Sequence, residues 1–319
     1  MGSRSTSDDG RRRIVAAHYG SVKPDMLGPR VPTPRTSRRT TAVDTLELHV
    51  PRTADAAPLD VVLSFTQPRL GHGLPYLDVG VLSGDGDTLA AQSSRADTGV
   101  VDLTFPLTGG WRPLWPGVQL DLELDTLAHR GGVSLVRASG RIAAPGCDVT
   151  LEQRLLFLSE RRAARRPYAW TRATLSGELD GEPLVCVVET ARRRAGSVVL
   201  PELGRLRLFG PGARSLPRDC SVAPLPIRAE YGTGRLRAAA LSPTHRLVVE
   251  LDAPPAQTAL FEMVDPDGEA AYAHRASDAN ATLTITRRKA VTHEVALRGR
   301  FEWGARAGDP RVSHRAWRA

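Results

Sequence analysis

VTHEVALRGRFEW, residues 291 to 303, alternates between two kinds of side chain along its whole length. One set comprises Val291, His293, Val295, Leu297, Gly299, Phe301 and Trp303, and the other comprises Thr292, Glu294, Ala296, Arg298, Arg300 and Glu302. Because successive residues of a strand point to opposite faces, this stretch predicts a β-strand with one largely apolar and one polar face. We expect the apolar face, including His293, to point inward.

The same period of two continues through most of the chain from residue 41 onward. It is clear in TLELHV (45–50), LDVVLSF (59–65) and VQLDLELD (118–125), and turn dipeptides such as Gly131-Gly132 and Asp180-Gly181 separate the runs. Short alternating runs between such turns are typical of antiparallel sheets. The pattern predicts an all-β chain with little helix. The exception is LLFLSERRAARR (155–166), where Leu155 and Leu158 have helical spacing and favour a turn or two of helix.

The number of predicted strands is too large for one open sheet, which rarely exceeds about ten strands. We therefore predict two antiparallel β-barrel or sandwich domains, one over residues 41–162 and one over residues 163–306. Residues 1–40 are rich in Arg, Ser and Pro and lack a sustained hydrophobic period, so we expect a flexible tail or strap there. Residues 307–319 are predicted to form a second tail.

Composition argues against several classes of protein. No apolar run is long enough to span a bilayer, and Met1 is followed by polar residues, so we expect a cytoplasmic protein without a membrane partner. The net charge is +8, but nearly all of it is arginine, and the arginine clusters at 11–13, 161–166, 192–194 and 287–288 are interpreted as solvated surface. Only the cluster before Tyr168 has neighbouring aromatic residues, so nucleic acid is not an expected partner.

The cysteines at 147, 186 and 220 are too widely spaced for a disulfide framework or a thiolate zinc site, and we interpret them as structural thiols.

The segment YAWTRATL (168–175) carries the main candidate site. Its alternation places Tyr168, Trp170 and Arg172 on one face. Two aromatic rings followed by a guanidinium suit a dry core poorly, because buried polar groups need partners. We therefore predict that the second β unit is hollow, with these three side chains and His293 turned toward its cavity.

The strand YAWTR, which runs into Leu175-Ser-Gly177-Glu-Leu-Asp180-Gly181, together with a last strand that ends at Glu302-Trp303, resembles the two-domain lipocalin-like superfamily. This group includes carotenoid hydratases, tocopherol cyclases and lipocalin-like cyclases that form decalin rings. The resemblance covers residues 41–305 in outline and residues 166–181 and 293–303 in detail. It implies two lipocalin-like barrels, a pocket for a lipophilic and often polyene substrate, and no cofactor.

The sequence also departs from the hydratase members of this group. Their early Glu-Trp-Trp-Tyr-like segment is replaced by DVVLSFTQPRLGHGLPY (60–76), and their Trp-x-Asp-like segment is replaced by CVVETARRR (186–194). The missing tryptophans disfavour a direct assignment as a hydratase and favour a diverged branch.

Four residues are predicted to be catalytic: Tyr168, Arg172, Glu189 and His293. The Tyr168 hydroxyl or the Arg172 guanidinium would hydrogen-bond a substrate carbonyl. Glu189 would be an acid or base of raised pKa if its face is inward, and would otherwise pair with one of residues 192–194. Tyr168 and Trp170 have an alternative interpretation as packing residues with satisfied polar tips.

A further set is predicted to contact substrate: Trp170, Trp303, Tyr76, His72, Trp111 and Phe301. His72 and Tyr76 belong to GHGLPYLD (71–78), which would form a loop at a barrel mouth or a simple turn. Trp111 lies in GGWRPLWPG (109–117), which would form a lid or a plug at one barrel end.

We predict a cofactor-independent cyclase or isomerase, acting on a hydrophobic polyene polyketide or terpenoid intermediate of bacterial specialised metabolism, as a monomer or homodimer. Hydration or proton-initiated cyclisation of a lipophilic alkene is one alternative. A non-catalytic carrier of a lipophilic ligand is another. No nucleotide-binding glycine loop or HExxH sequence is present, so neither a cofactor nor a metal is expected.

Overall fold

A computed structural model describes fifteen stretches of the chain, between residues 43 and 306. They are residues 43–66, 76–83, 88–95, 108–111, 114–115, 118–144, 147–163, 167–201, 203–217, 219–222, 228–230, 234–253, 258–264, 270–287 and 290–306. These stretches are almost entirely β-strand, with a single 3₁₀ turn at Pro211–Ala213. The predicted all-β class is confirmed. No helix in these stretches is long and apolar enough to cross a membrane.

Nine strands form the first sheet. They are β1 (Val43–Val50), β2 (Leu59–Thr66), β3 (Tyr76–Ser83), β4 (Thr88–Arg95), β5 (Thr108–Trp111), β6 (Leu114–Trp115), β7 (Val118–Arg130), β8 (Val133–Ala144) and β9 (Cys147–Ala163). Their order is β4-β3-β2-β1-β9-β8-β7-β5, with β6 also paired to β7. All pairings are antiparallel, and β1 lies between β2 and β9.

The second sheet contains ten strands. They are β10 (Ala169–Leu179), β11 (Glu182–Arg192), β14 (Leu203–Phe209), β15 (Asp219–Val222), β16 (Arg228–Glu230), β17 (Arg235–Leu241), β18 (His245–Asp252), β19 (Ala259–Val264), β20 (Ala270–Arg287) and β21 (Ala290–Arg306). The short strands β12 (Arg194–Ala195) and β13 (Val198–Val199) form a separate hairpin. β15 also pairs with β17 through Val222 and Ala240, which joins the ends of the sheet. Eight of the described strands thereby close into an antiparallel barrel.

The structure confirms two of the predicted hairpin turns. Gly131 and Gly132 connect β7 to β8 with φ of 58° and 78°, and Asp180 and Gly181 connect β10 to β11 with φ of 55° and 77°. Two consecutive positive φ angles match the two-residue turns that suit the twist of a β-hairpin.

The predicted helix at residues 155–166 is wrong, because β9 runs as a strand to Ala163. Leu155 and Leu158 lie on opposite faces of this strand; Leu158 is buried and Leu155 is 39% exposed. The apparent helical spacing coincides with an irregularity in the pairing of β9 with β8, next to Gln153, which has a positive φ of 53°.

Each sheet has its own apolar core. In the barrel, the inward face of β21 contributes Val295, Leu297, Phe301 and Trp303, as the alternating pattern predicted. Cys186 is buried in the same core, and burial raises the pKa of its thiol to about 12. Cys186 and Cys147 are both free thiols, which agrees with a structural role.

The two sheets pack against each other through their other faces. On one side of this interface Val133, Leu135 and Phe157 of the first sheet contact Val185, Val187 and Phe209 of the barrel. On the other side the contact is made by charged side chains. The face that carries Trp170 and Arg172 therefore lies outside the barrel, against the first sheet, and the prediction that it lines the barrel interior is wrong.

Candidate functional site

Glu47 on β1 is the centre of a buried cluster of charges between the two sheets. It is 1% exposed. Its carboxylate contacts guanidinium groups from four strands, namely Arg161, Arg172, Arg275 and Arg300. Three of these arginines belong to the barrel, so Glu47 links the first sheet to the second.

Glu302 on β21 is the second buried carboxylate of this cluster. It accepts hydrogen bonds from Trp170 Nε1 at 2.7 Å and from Arg275. Arg161 Nη1 lies 3.7 Å from its Oε1 atom. Glu47 and Glu302 are therefore connected through Arg161 and Arg275, which contact both.

Both carboxyl groups are ionised at neutral pH. Burial alone raises the pKa of Glu302, but the guanidiniums of Arg275 and Arg161 outweigh burial and lower this pKa to about 2. In the same way burial raises the pKa of Glu47, and its four arginine partners together hold it well below the usual value. Neither group is a proton donor at neutral pH.

Arg172 on β10 is a further buried member of this cluster and is 2% exposed. Its Nη2 donates a hydrogen bond to Ser159 Oγ, and its Nη1 donates to Glu47 at 3.3 Å. Burial and repulsion from Arg161 lower its pKa to about 10, so it stays protonated at neutral pH. Among the described residues, no acceptor forms a hydrogen bond with Nε of Arg172 or of Arg161.

Glu189 on β11 lies on the outer face of the barrel, beside this cluster. Its carboxylate accepts a hydrogen bond from Arg207 at 2.8 Å, and its Oε1 lies 3.4 Å from Arg172 Nε. The predicted alternative of a partner within residues 192–194 is wrong. The expected surface ion pair is a half-buried one between strands, with a Glu189 side chain that is 29% exposed.

A cavity of about 730 Å³ lies between the two sheets at this cluster. Its lining comprises Thr45, Glu47, Val62, Glu160, Arg161, Pro167, Trp170, Thr171, Arg172, Glu189, Thr190, Ala191, Arg193, Leu203, Gly204, Arg205, Arg207, Arg275 and Glu302. The volume falls within the range of about 300–1,000 Å³ that is common for small-molecule sites. Arginines and glutamates lie beside apolar surface from Val62, Trp170 and Leu203.

Trp170 is held in place from two directions. Its Nε1–H group is bonded to Glu302, and its ring packs against Ala271 and Ala273. Gly304 lies directly beneath the ring, and a methyl group on Gly304 would overlap with the benzo part of the indole. The indole is therefore fixed as one wall of the cavity.

The structure brings together three of the predicted site residues and separates them from Tyr168, His293, Phe301 and Trp303. Trp170, Arg172 and Glu189 line the cavity between the two sheets. Phe301 and Trp303 belong to the barrel core, where their ring centroids lie 5.0 Å apart, so neither faces this cavity. Tyr168 is 7% exposed and has the Arg194 guanidinium 5.8 Å from its ring centroid, outside the cavity lining.

His293 is half-buried and lies far from this site. It pairs with Ile285 near the start of β21, nine positions before Glu302. At about 3.3 Å per residue the two are roughly 30 Å apart along the strand. His293 therefore cannot act together with Arg172.

The predicted contact with substrate stays a prediction for three residues. His72 lies outside the described residues. The backbones of Tyr76 and Trp111 belong to β3 and β5, but their side chains are outside the described part of the structure.

Sequence reasoning missed Glu47, Arg161, Arg275 and Glu302 as site residues. Arg161 was interpreted as solvated surface, and so was Arg192, which is 1% exposed. The available signal was the pairing of two polar strand faces, one with Thr45, Glu47 and His49 and one with Arg298, Arg300 and Glu302. Opposite charges on two such faces allow the faces to pack against each other.

A second polar cluster lies beside the first. His49 Nδ1 is 2.6 Å from Asp60 Oδ1, and Ser277 Oγ donates to Asp60 Oδ2 at 2.6 Å. Burial raises the pKa of Asp60, but His49 and the arginines outweigh burial and lower it. Asp278 continues the contact by accepting hydrogen bonds from Arg52 and Arg298. These bonds again join the first sheet to the barrel.

The sequence matches no protein-family model and no curated protein. Among solved structures, kievitone hydratase from Nectria haematococca is similar at 10% identity, with a TM-score of 0.47, over 82% of this chain and 88% of that chain. An ATTH-type protein from Nitrosomonas europaea is similar at 14% identity, with a TM-score of 0.41, over 87% of this chain and 99% of that chain.

Proposed function

We propose that the interdomain cavity binds a lipophilic, conjugated small molecule that bears a carbonyl group, and that it promotes ring formation in this molecule without a cofactor. The observation that carries the proposal is the arrangement of Arg172. Its guanidinium is buried on the cavity wall and is protonated at neutral pH, and its Nε–H group lies 3.4 Å from Glu189 Oε1 without forming a hydrogen bond.

A carbonyl oxygen bound beside this guanidinium would be polarised by its positive charge. In a dienophile or another conjugated acceptor, electron density moves toward this oxygen in the transition state, and a fixed cation stabilises that charge. Glu47 and Ser159 hold the guanidinium, so little reorganisation is needed when the charge develops.

The shape of the cavity would supply the remaining acceleration. Trp170 offers a fixed aromatic wall, and Val62 and Leu203 add apolar surface. Holding a flexible chain in a reactive conformation contributes up to about 7–11 kcal/mol in well-oriented systems.

The proton-initiated alternative has less support from this site. Glu47 and Glu302 have lowered pKa values and are ionised, so they cannot protonate an alkene at neutral pH. Glu189 is the remaining candidate acid from the sequence, and two guanidiniums contact its carboxylate.

A direct experiment uses a linear polyene that ends in an α,β-unsaturated ketone. We expect the purified protein to convert it to a product of unchanged mass that has lost part of the conjugated absorbance, faster than buffer does. Arg172→Gln should lower the rate constant by about 10²–10³-fold, as removal of a single oxyanion donor does.

Arg298→Gln is the matched control, because Arg298 bonds to Asp278 and does not line the cavity. It should leave the rate unchanged. The midpoint of urea unfolding, measured for each variant, distinguishes a loss of activity from a loss of stability. Equal rates for wild type and a folded Arg172→Gln protein would refute the role of Arg172.

The same assay distinguishes the alternatives. A product heavier by one water, abolished in Glu189→Gln and retained in Tyr168→Phe, would select a hydratase. Saturable binding of the polyene ketone without any product would select a carrier.

A further inference from the structure

Two arginines at the rim of the cavity differ from those inside it. Arg193 follows β11 and Arg205 lies on β14; both side chains are exposed and both line the cavity. Within the described part of the chain, neither forms an ion pair, in contrast to Arg161, Arg172 and Arg275.

The strand register explains why Arg205 has no ion-pair partner among the described residues. Glu189 lies directly opposite Arg205 in the pairing of β11 with β14. Its carboxylate nevertheless contacts Arg207 and Arg172 instead. The nearest acidic partner of Arg205 on that face is thereby already occupied.

The cavity lining as a whole carries more positive than negative charge. It contains six arginines (161, 172, 193, 205, 207 and 275) and four glutamates (47, 160, 189 and 302). A concave site lined mainly by one sign of charge raises the local concentration of counter-ions. The excess lies at the rim, because the inner arginines contact the carboxylates.

Apolar surface lies beside these rim charges. Leu203 is 64% exposed and lines the cavity together with Arg193 and Arg205. An exposed leucine next to two free guanidiniums fits a ligand that is itself amphipathic, with an anionic group attached to an apolar chain.

We infer that the molecule bound in this cavity carries a carboxylate-type anionic group that binds at the rim between Arg193 and Arg205, while its apolar chain lies inside. This inference rests on the proposed function only in placing the ligand in the cavity. It does not depend on ring formation or on any chemical step.

The test compares cis-parinaric acid, a conjugated tetraene carboxylic acid whose fluorescence rises in apolar surroundings, with its methyl ester. The two probes share the chain and differ in charge. We expect the acid to bind at least tenfold more tightly than the ester at low ionic strength, and the difference to shrink when salt is raised, because exposed charges are screened. Equal affinities of acid and ester would overturn the inference.

Two double variants test whether the rim arginines cause the preference for the acid over the ester. Arg193→Gln combined with Arg205→Gln should weaken binding of the acid on the order of tenfold and leave the ester unchanged. Arg235→Gln combined with Arg237→Gln removes two exposed arginines of β17, away from this cavity, and should change neither probe. If the rim variant kept the full preference for the acid, or if Arg172→Gln alone removed it, the placement at the rim would be wrong.

The result is separable from that for the proposed function. A preference for the acid without any cyclised product would support this inference and refute the cyclase. Cyclised product from a neutral polyene, with equal binding of acid and ester, would do the reverse.

Discussion

At the scale of single residues, Glu47 makes the central ionic contact between the two sheets. One fully buried carboxylate contacts four guanidiniums that come from β9, β10, β20 and β21. Removing one partner of a buried ion pair lowers the free energy of unfolding by more than the intact pair contributes to it, because the remaining charge stays buried without compensation.

Replacing Glu47 with Gln should therefore destabilise the protein by about 3–5 kcal/mol. Urea denaturation measures this change. Glu178→Gln is the matched control because Glu178 is exposed, and it should stay within about 0.5 kcal/mol of wild type. A Glu47→Gln protein as stable as this control would show that the cluster does not hold the sheets together.

At the scale of strands, the contact between β10 and β21 explains the fixed position of Trp170. Trp170 pairs with Gly304, and the indole ring lies over that glycine. The sheet tolerates this arrangement because Gly304 has no side chain in the space of the ring.

Gly304→Ala should therefore destabilise the protein by about 1–3 kcal/mol, the usual cost of overpacking. Most of this cost should disappear when Trp170 is also replaced by Ala, because the overlap then no longer exists. A double-mutant cycle from urea midpoints measures the coupling. Additive costs would mean that Gly304 is needed for another reason.

The same strands show how far the sequence determines the structure. Alternation in residues 291–303 correctly separated Val295, Leu297, Phe301 and Trp303 from Arg300 and Glu302. It could not reveal that both faces of β21 are buried, because the charged face is covered by Glu47, more than 250 residues earlier in the chain. For the same reason the sequence identified Trp170, Arg172 and Glu189 as cavity residues but placed the cavity on the wrong side of the strand.

Residues 155–166 show the limit of local patterns. Leu155 and Leu158 have helical spacing, yet strand β9 pairs with both β1 and β8, and these ladders outweigh a weak local helical preference.

At the scale of the whole molecule, the charged interface makes the stability of the folded protein fall at acid pH. The pKa values of Glu47, Asp60 and Glu302 are all lower in the folded protein than in free side chains. Below their unfolded pKa values the unfolded chain binds more protons than the folded one, so stability falls as pH falls.

We expect the contribution of these groups to be complete above about pH 5 and to be lost progressively toward pH 2, where Glu302 itself protonates. Glu302 alone accounts for about 3 kcal/mol of this loss. Urea midpoints from pH 7 to pH 2.5 measure it, and Glu302→Gln should flatten the curve. A wild-type midpoint that does not change between pH 5 and pH 3 would contradict the assigned ionisation states.

We expect ligands to bind between the two sheets and not within the barrel, and a single binding measurement tests this location most directly. Ala191 lines the cavity between the two sheets, and Thr282 lines a separate concave surface on the barrel. Tryptophan at position 191 would fill the cavity, and tryptophan at position 282 would leave it open. In titrations with cis-parinaric acid we predict that Ala191→Trp loses at least tenfold in affinity while Thr282→Trp binds as wild type does. Undiminished binding to a folded Ala191→Trp protein would contradict the claim.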